Sequence, residues 1–152
     1  MKTLANREQQ RERSPSNWDK AYRPISLILS LTFSLVGFAF LVMPGTIYNV
    51  FNALSRFLGM VEPTEQGVEF YRILAVAYMY VVSLLAFSMY RHPDNRQFLW
   101  LLINAKFASS ALSFLFFAVL HHYLMYLSNG IVDGAIACGL LLLSTKTKGI
   151  TT

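Results

Sequence analysis

The sequence predicts an all-α protein: a four-helix transmembrane bundle with an extra amphipathic interfacial helix between spans one and two. Three observations point there. Four strongly apolar runs divide the chain, and a further run repeats its apolar residues only at helical spacing. The charged residues are 14% of 152, against about 25% in an ordinary soluble domain, and they crowd the segment before Pro24 and a few short connections.

Residues 1–23 read as a basic cytoplasmic tail, with Lys2, Arg7, Arg11, Arg13, Lys20 and Arg23 against Glu8, Glu12 and Asp19. Ser14-Pro15-Ser16 breaks any early helix. No small-x-small cleavage site follows the next apolar run, which argues against a cleaved signal peptide. The membrane domain is expected over 24–145 and a cytoplasmic C-terminal tail over 146–152.

Span one is predicted over 25–43, free of charge, with Pro24 at its start and Pro44-Gly45 at its end. Ser26, Ser30, Ser34 and Gly37 form a narrow stripe along it, of the kind that lets a neighbouring backbone approach closely. Over 46–61, Ile47, Val50, Phe51, Leu54, Phe57, Leu58 and Val61 recur at helical spacing opposite Asn49, Asn52, Ser55 and Arg56. That pattern predicts an amphipathic helix in the interface. An acidic connection follows, and span two is predicted over 71–90.

Span three is predicted over 98–120. The sequence stays helix-compatible to Asn129-Gly130, which predicts a helix of about 30 residues, roughly 45 Å long, against about 30 Å of hydrocarbon. Span four, over 130–145, is short by the same measure. Gly130, Gly134 and Cys138 give it a second small stripe.

Orientation follows from the cations. With four spans, the basic tail, Arg91 and Arg96, and Lys146 and Lys148 all fall on one side. Both termini are therefore expected in the cytoplasm, in a bacterial inner membrane. The net charge of +5 belongs to these loops, so nucleic acid is not an expected partner. One cysteine, Cys138, excludes an intrachain disulfide.

Three charges lie within or at the edge of spans. Arg72 and Asp133 both enter from the outer side at similar depth, which predicts a structural ion pair across the bundle. Lys106 lies about 12 Å beyond Phe98 along the helix. Either it snorkels toward the inner interface while Ser109, Ser110 and Ser113 serve close packing, or those serines line a cavity with it. In the second case Tyr78, Tyr80 and Ser83 complete the cavity, and a negatively charged or quinone-like head meets the ammonium.

Histidines do not suggest a cofactor. His92 falls at the inner end of span two, and His121 and His122 at the outer end of span three, adjacent and divergent. No metal, haem or other cofactor is assigned. No HExxH, GxSxG, P-loop or GxGxxG motif occurs, so no catalytic residue is assigned either.

The order of features resembles the DoxX-like group of small four-helix membrane proteins. The matching parts are the first span ending at Pro44, Phe51-Asn52-Ala53-Leu54 running to Leu58-Gly59, Gly67, Arg72-Ile73-Leu74-Ala75, and Lys106. The likeness covers roughly residues 25 to 145. It implies the same architecture, and some of that group are similar to membrane subunits associated with quinone-linked oxidoreductases.

Two functions are expected from different classes. One is an accessory or scaffold subunit that packs against other membrane-protein subunits or copies of itself, motivated by the small stripes. The other is binding of a lipid or quinone-like molecule near Lys106, Ser109, Ser110, Ser113, Tyr78 and Tyr80.

Overall fold

The computed structural model describes residues 17–61, 68–119 and 122–146. Over these the chain forms five helices and no strand: α1 (Asn17–Val42), α2 (Pro44–Phe57), α3 (Val68–Arg91), α4 (Arg96–Val119) and α5 (Leu124–Lys146). Four stretches are long and apolar enough to cross a membrane: Lys20–Val42, Arg72–Arg91, Arg96–Val119 and Leu124–Lys146. The protein is an integral membrane protein built as an all-α four-helix bundle. The acidic connection at 62–67, His121 and most of both tails lie outside the described residues.

Helix α1 starts earlier than expected, and Pro24 lies inside it. A proline removes its own N–H from the ladder and its ring crowds the carbonyl one turn back, and here the surroundings hold the turn in place. Tyr22 is buried in the core, and Ser26 Oγ donates to the Tyr22 carbonyl at 2.7 Å.

Helix α2 opens with Pro44 in its first turn and ends before Val61. Gly59 stops it by taking a left-handed φ of +65°. The amide of Gly59 then donates to Arg56 O at 3.2 Å and that of Met60 to Ser55 O at 2.9 Å, the paired bonds of a glycine-terminated helix. The face turned to the bundle carries buried Ser55 with half-buried Tyr48, Phe51 and Asn52, whereas Val50, Leu54 and Phe57 are exposed. Its apolar edge thus points away from the protein, as an interfacial helix in lipid requires.

The break between the third and fourth spans corrects the predicted lengths. Helix α4 ends at Val119, His122 and Tyr123 are not helical, and α5 begins at Leu124. No overlong helix projects from the bundle, and the last span is not short. Asn129-Gly130, read as a helix stop, lies within α5 because both residues are engaged by α4: Asn129 through hydrogen bonds and Gly130 through packing.

Two antiparallel pairs make up the bundle: α1 along α3, and α4 along α5. In the first pair, Ser30 Oγ donates to Ser83 O (3.1 Å), Ser83 Oγ donates to Ser30 O (3.0 Å), and Ser34 Oγ meets Ser83 Oγ at 2.6 Å. Gly37 continues the seam; a Cβ there would stand 3.0 Å from Met79 Cβ. In the second pair, Ser110 Oγ donates to Gly130 O at 2.7 Å, and a Cβ on Gly134 would stand 2.9 Å from Ser110 Oγ. The pairs meet along a core of Tyr22, Phe33, Val82, Ala86, Met89, Leu99, Leu102, Ile103, Leu140 and Leu143. Apolar side chains such as Ile28, Leu35, Phe38, Ile73, Phe107 and Ile131 face outward, where lipid covers them.

The α1–α3 seam has no room for bulk. Gly37→Leu is expected to destabilise the protein by about 1–3 kcal/mol through overpacking. Ser83→Ala removes hydrogen bonds worth on average about 0.6 kcal/mol each in membrane proteins. Thermal unfolding in detergent, followed by helical circular dichroism, should rank wild type above Ser83→Ala above Gly37→Leu.

Candidate functional site

Lys106 is the largest fully buried side chain, with 0% exposure. An ammonium in hydrocarbon requires a counter-charge, and Asp133 supplies it: Lys106 Nζ donates to Asp133 Oδ1 at 2.8 Å. Both residues are deep because of where their helices start. Lys106 is ten residues beyond Arg96 and Asp133 nine beyond Leu124, roughly 15 and 14 Å along their axes. Half of the hydrocarbon thickness is also about 15 Å, so the antiparallel helices bring the two charges together near the middle.

This overturns the expected pairing of Arg72 with Asp133. The pairing assumed a fourth span starting near residue 130, which would leave Asp133 shallow. With α5 starting at Leu124, Asp133 sits too deep for Arg72, which is half-buried near the start of α3. One oxygen of Asp133 belongs to Lys106, and the other, Oδ2, is buried without a hydrogen-bond partner among the described residues. Snorkelling of Lys106 is overturned as well, since its side chain never reaches a surface.

The ammonium also touches the other helix pair. Nζ lies 4.4 Å from the ring centroid of Phe33 on α1 and 5.1 Å from that of Tyr78 on α3. A desolvated cation over an aromatic face gains up to about 2 kcal/mol. Every membrane-spanning helix therefore contributes to one centre: Phe33, Tyr78, Lys106 and Asp133. The Tyr78 hydroxyl is tied down by donating to Ala105 O at 3.1 Å.

The serines divide into packing roles and an edge. Ser110 and Ser113 are buried against α5. Asn129 Nδ2 donates to Ser113 Oγ at 2.7 Å and to Ser109 Oγ at 3.2 Å. Ser109, Asn129 and Tyr78 are each half-buried, so the polar cluster has a side that approaches the bundle surface. Tyr80 does not join the site, being 65% exposed on the outer face of α3. Ser83 is drawn into the α1–α3 clasp instead.

Phe33 and Asn129 were missed. Phe33 gave no signal among the many phenylalanines of the spans. Asn129 did give one, since it stands four residues before Asp133 and on the same side of a continuous helix. His92 and His122 are exposed and rest against Phe98 and Phe117. Among the described residues no three His, Cys, Asp or Glu side chains gather to hold a metal ion. Comparisons with family models, characterised proteins and solved structures found no match, so the site is interpreted from its own geometry.

Removing one member of a buried ion pair strands the other, at a cost of about 3–5 kcal/mol. Lys106→Met and Asp133→Asn should each lower the unfolding midpoint sharply, and the double variant should lose far less than the sum of the two. Arg72→Gln combined with Asp133→Asn should instead be additive. Detergent unfolding midpoints of these variants check both expectations.

Proposed function

We propose that this chain is a non-enzymatic membrane protein that binds a neutral, lipophilic molecule at the Lys106–Asp133 centre. The head of that molecule carries a hydroxyl, as the reduced, quinol form of a quinone-like ring or a lipid alcohol does. The observation behind this reading is the buried Oδ2 of Asp133, without a hydrogen-bond partner among the described residues, beside an ammonium that otherwise lies against the rings of Phe33 and Tyr78. A hydroxyl satisfies both groups, because it donates to the carboxylate and accepts from the ammonium.

Charge narrows the choice of head. Lys106 and Asp133 cancel, so a neutral head leaves the buried centre neutral, whereas an anionic head would add an uncompensated charge beside a carboxylate. That argues against the anionic ligand entertained from Lys106 alone. Phe33 and Tyr78 offer flat faces to a ring. The seam between the helix pairs is the natural approach, since α3 packs on α4 far less extensively than the helices within either antiparallel pair.

The accessory-subunit reading stands as the alternative, although most of the small-residue stripes that motivated it are used within the chain. Ser30, Ser34 and Gly37 pack on α3, and Gly130 and Gly134 pack on α4, all within one chain. The likeness to the DoxX-like group remains part of the proposal, as does an inner-membrane setting with both termini cytoplasmic, supported by the one-sided distribution of Lys and Arg.

Organic extracts of protein purified in mild detergent, analysed by mass spectrometry, test the assignment and separate quinones from lipid alcohols. Wild type should carry one such species well above its abundance in the bulk membrane. The Lys106→Met/Asp133→Asn double variant, folded by circular dichroism, should carry only background. Equal occupancy in the two proteins, or no enrichment in wild type, would sink the proposal.

A further inference from the structure

Asn104 lies on the outward face of α4, a polar residue where the surroundings are otherwise apolar. It stands eight residues beyond Arg96, about 12 Å along the helix, and so well inside a hydrocarbon layer about 30 Å thick. Its side chain is exposed, and its neighbours on that face are Trp100, Leu101, Phe107, Ala108, Ala111 and Leu115, all exposed. One amide N–H is used locally, with Nδ2 donating to Trp100 O at 2.8 Å. Among the described residues, Oδ1 accepts no hydrogen bond. Asn129 differs in that its amide donates to two serines within the bundle.

We propose that two copies of this chain associate in the membrane across the outer face of α4, joined by reciprocal hydrogen bonds between their Asn104 carboxamides. A carboxamide carries both donor and acceptor, so two of them related by a two-fold axis satisfy each other. Lipid chains offer neither function, and an unsatisfied amide in hydrocarbon is costly. A second copy inserted in the same direction presents the matching group at the same depth automatically. A different partner would need a polar group placed there independently. Ala108 and Ala111 form the low edge of this face, along which the two α4 helices approach for the amides to meet, with the exposed Trp100 and Phe107 packing at its flank.

This surface lies opposite the face of α4 that carries Lys106, so its test is separate from that of the ligand site. Asn104 bonds only its own helix, so Asn104→Leu should leave fold and unfolding midpoint unchanged. Förster transfer between labelled copies in phosphatidylethanolamine/phosphatidylglycerol vesicles, over a range of protein-to-lipid ratios, reads the association. Wild type should form pairs. Asn104→Leu should raise the protein density needed for half-association roughly tenfold, as expected for a pair of intramembrane hydrogen bonds. Ala108→Ile, which blocks close approach, should weaken association independently. In a Cys138→Ser background, Ala111→Cys should form an intermolecular disulfide on mild oxidation. The proposal is overturned by a wild type that stays single at every ratio, by pairs that Asn104→Leu leaves intact, or by oxidation that links copies through native Cys138 but not through position 111.

Discussion

The fold turns on one ion pair in the middle of the membrane. Bringing an ammonium and a carboxylate out of water is expensive, and only direct contact with good geometry offsets it. Lys106 and Asp133 meet at 2.8 Å with almost no exposure, which fixes the sliding position of α5 against α4. Once that register is set, Ser110 falls beside Gly130 and Gly134, and Asn129 falls beside Ser109 and Ser113. A shift of α5 by one turn, about 5.4 Å, would part the charges and drive side chains into the positions that glycine now keeps open.

The two helix pairs are held by different chemistry. Between α1 and α3 the polar contacts are uncharged, made by serine hydroxyls to backbone and to one another. Each is weak, but small residues let the backbones approach and add dispersion along the seam. Between α4 and α5 a charge pair is added to the same device. Where the two pairs meet, the described contacts are largely apolar and aromatic, with polar ones where the ammonium lies over Phe33 and Tyr78, where Tyr78 reaches Ala105 O and Ser109, and where Arg96 faces Tyr22. The bundle is thus strongly specified within each pair and more loosely between them.

Much of this was legible in the sequence, and the failures share one cause. Composition and apolar run length gave four spans and an interfacial helix, because hydrocarbon thickness constrains both. The serine and glycine stripes were visible as close-packing faces, although not which helix each would face. The break between spans three and four was misplaced because Asn129-Gly130 carries strong turn propensity, whereas His122-Tyr123 carries little. Packing against α4 overrode that propensity. The misplaced break made one span too long and the next too short, and moving it to residues 122–123 cures both defects. The same shift deepens Asp133 from the interface to the midplane and exchanges its partner from Arg72 to Lys106. Contacts that depend on three-dimensional placement, such as Phe33 under the ammonium, had no sequence signal.

The location of the charges bears on what the centre does. Had Lys106 and Asp133 belonged to different helix pairs, separating the pairs would break the salt bridge, and the seam would be locked. Both instead belong to the α4–α5 pair, while the aromatic faces belong to α1 and α3. Parting the seam leaves the ion pair intact; it forfeits the cation–π contacts, each worth at most about 2 kcal/mol, the Tyr78 bond to Ala105 O and the packing of the apolar core between the pairs. What it uncovers is an ammonium with free donors beside a carboxylate oxygen that already lacks a partner. Asp133 Oδ2, buried and without a hydrogen-bond partner among the described residues, is the atom to which the hydroxyl of the proposed ligand would donate.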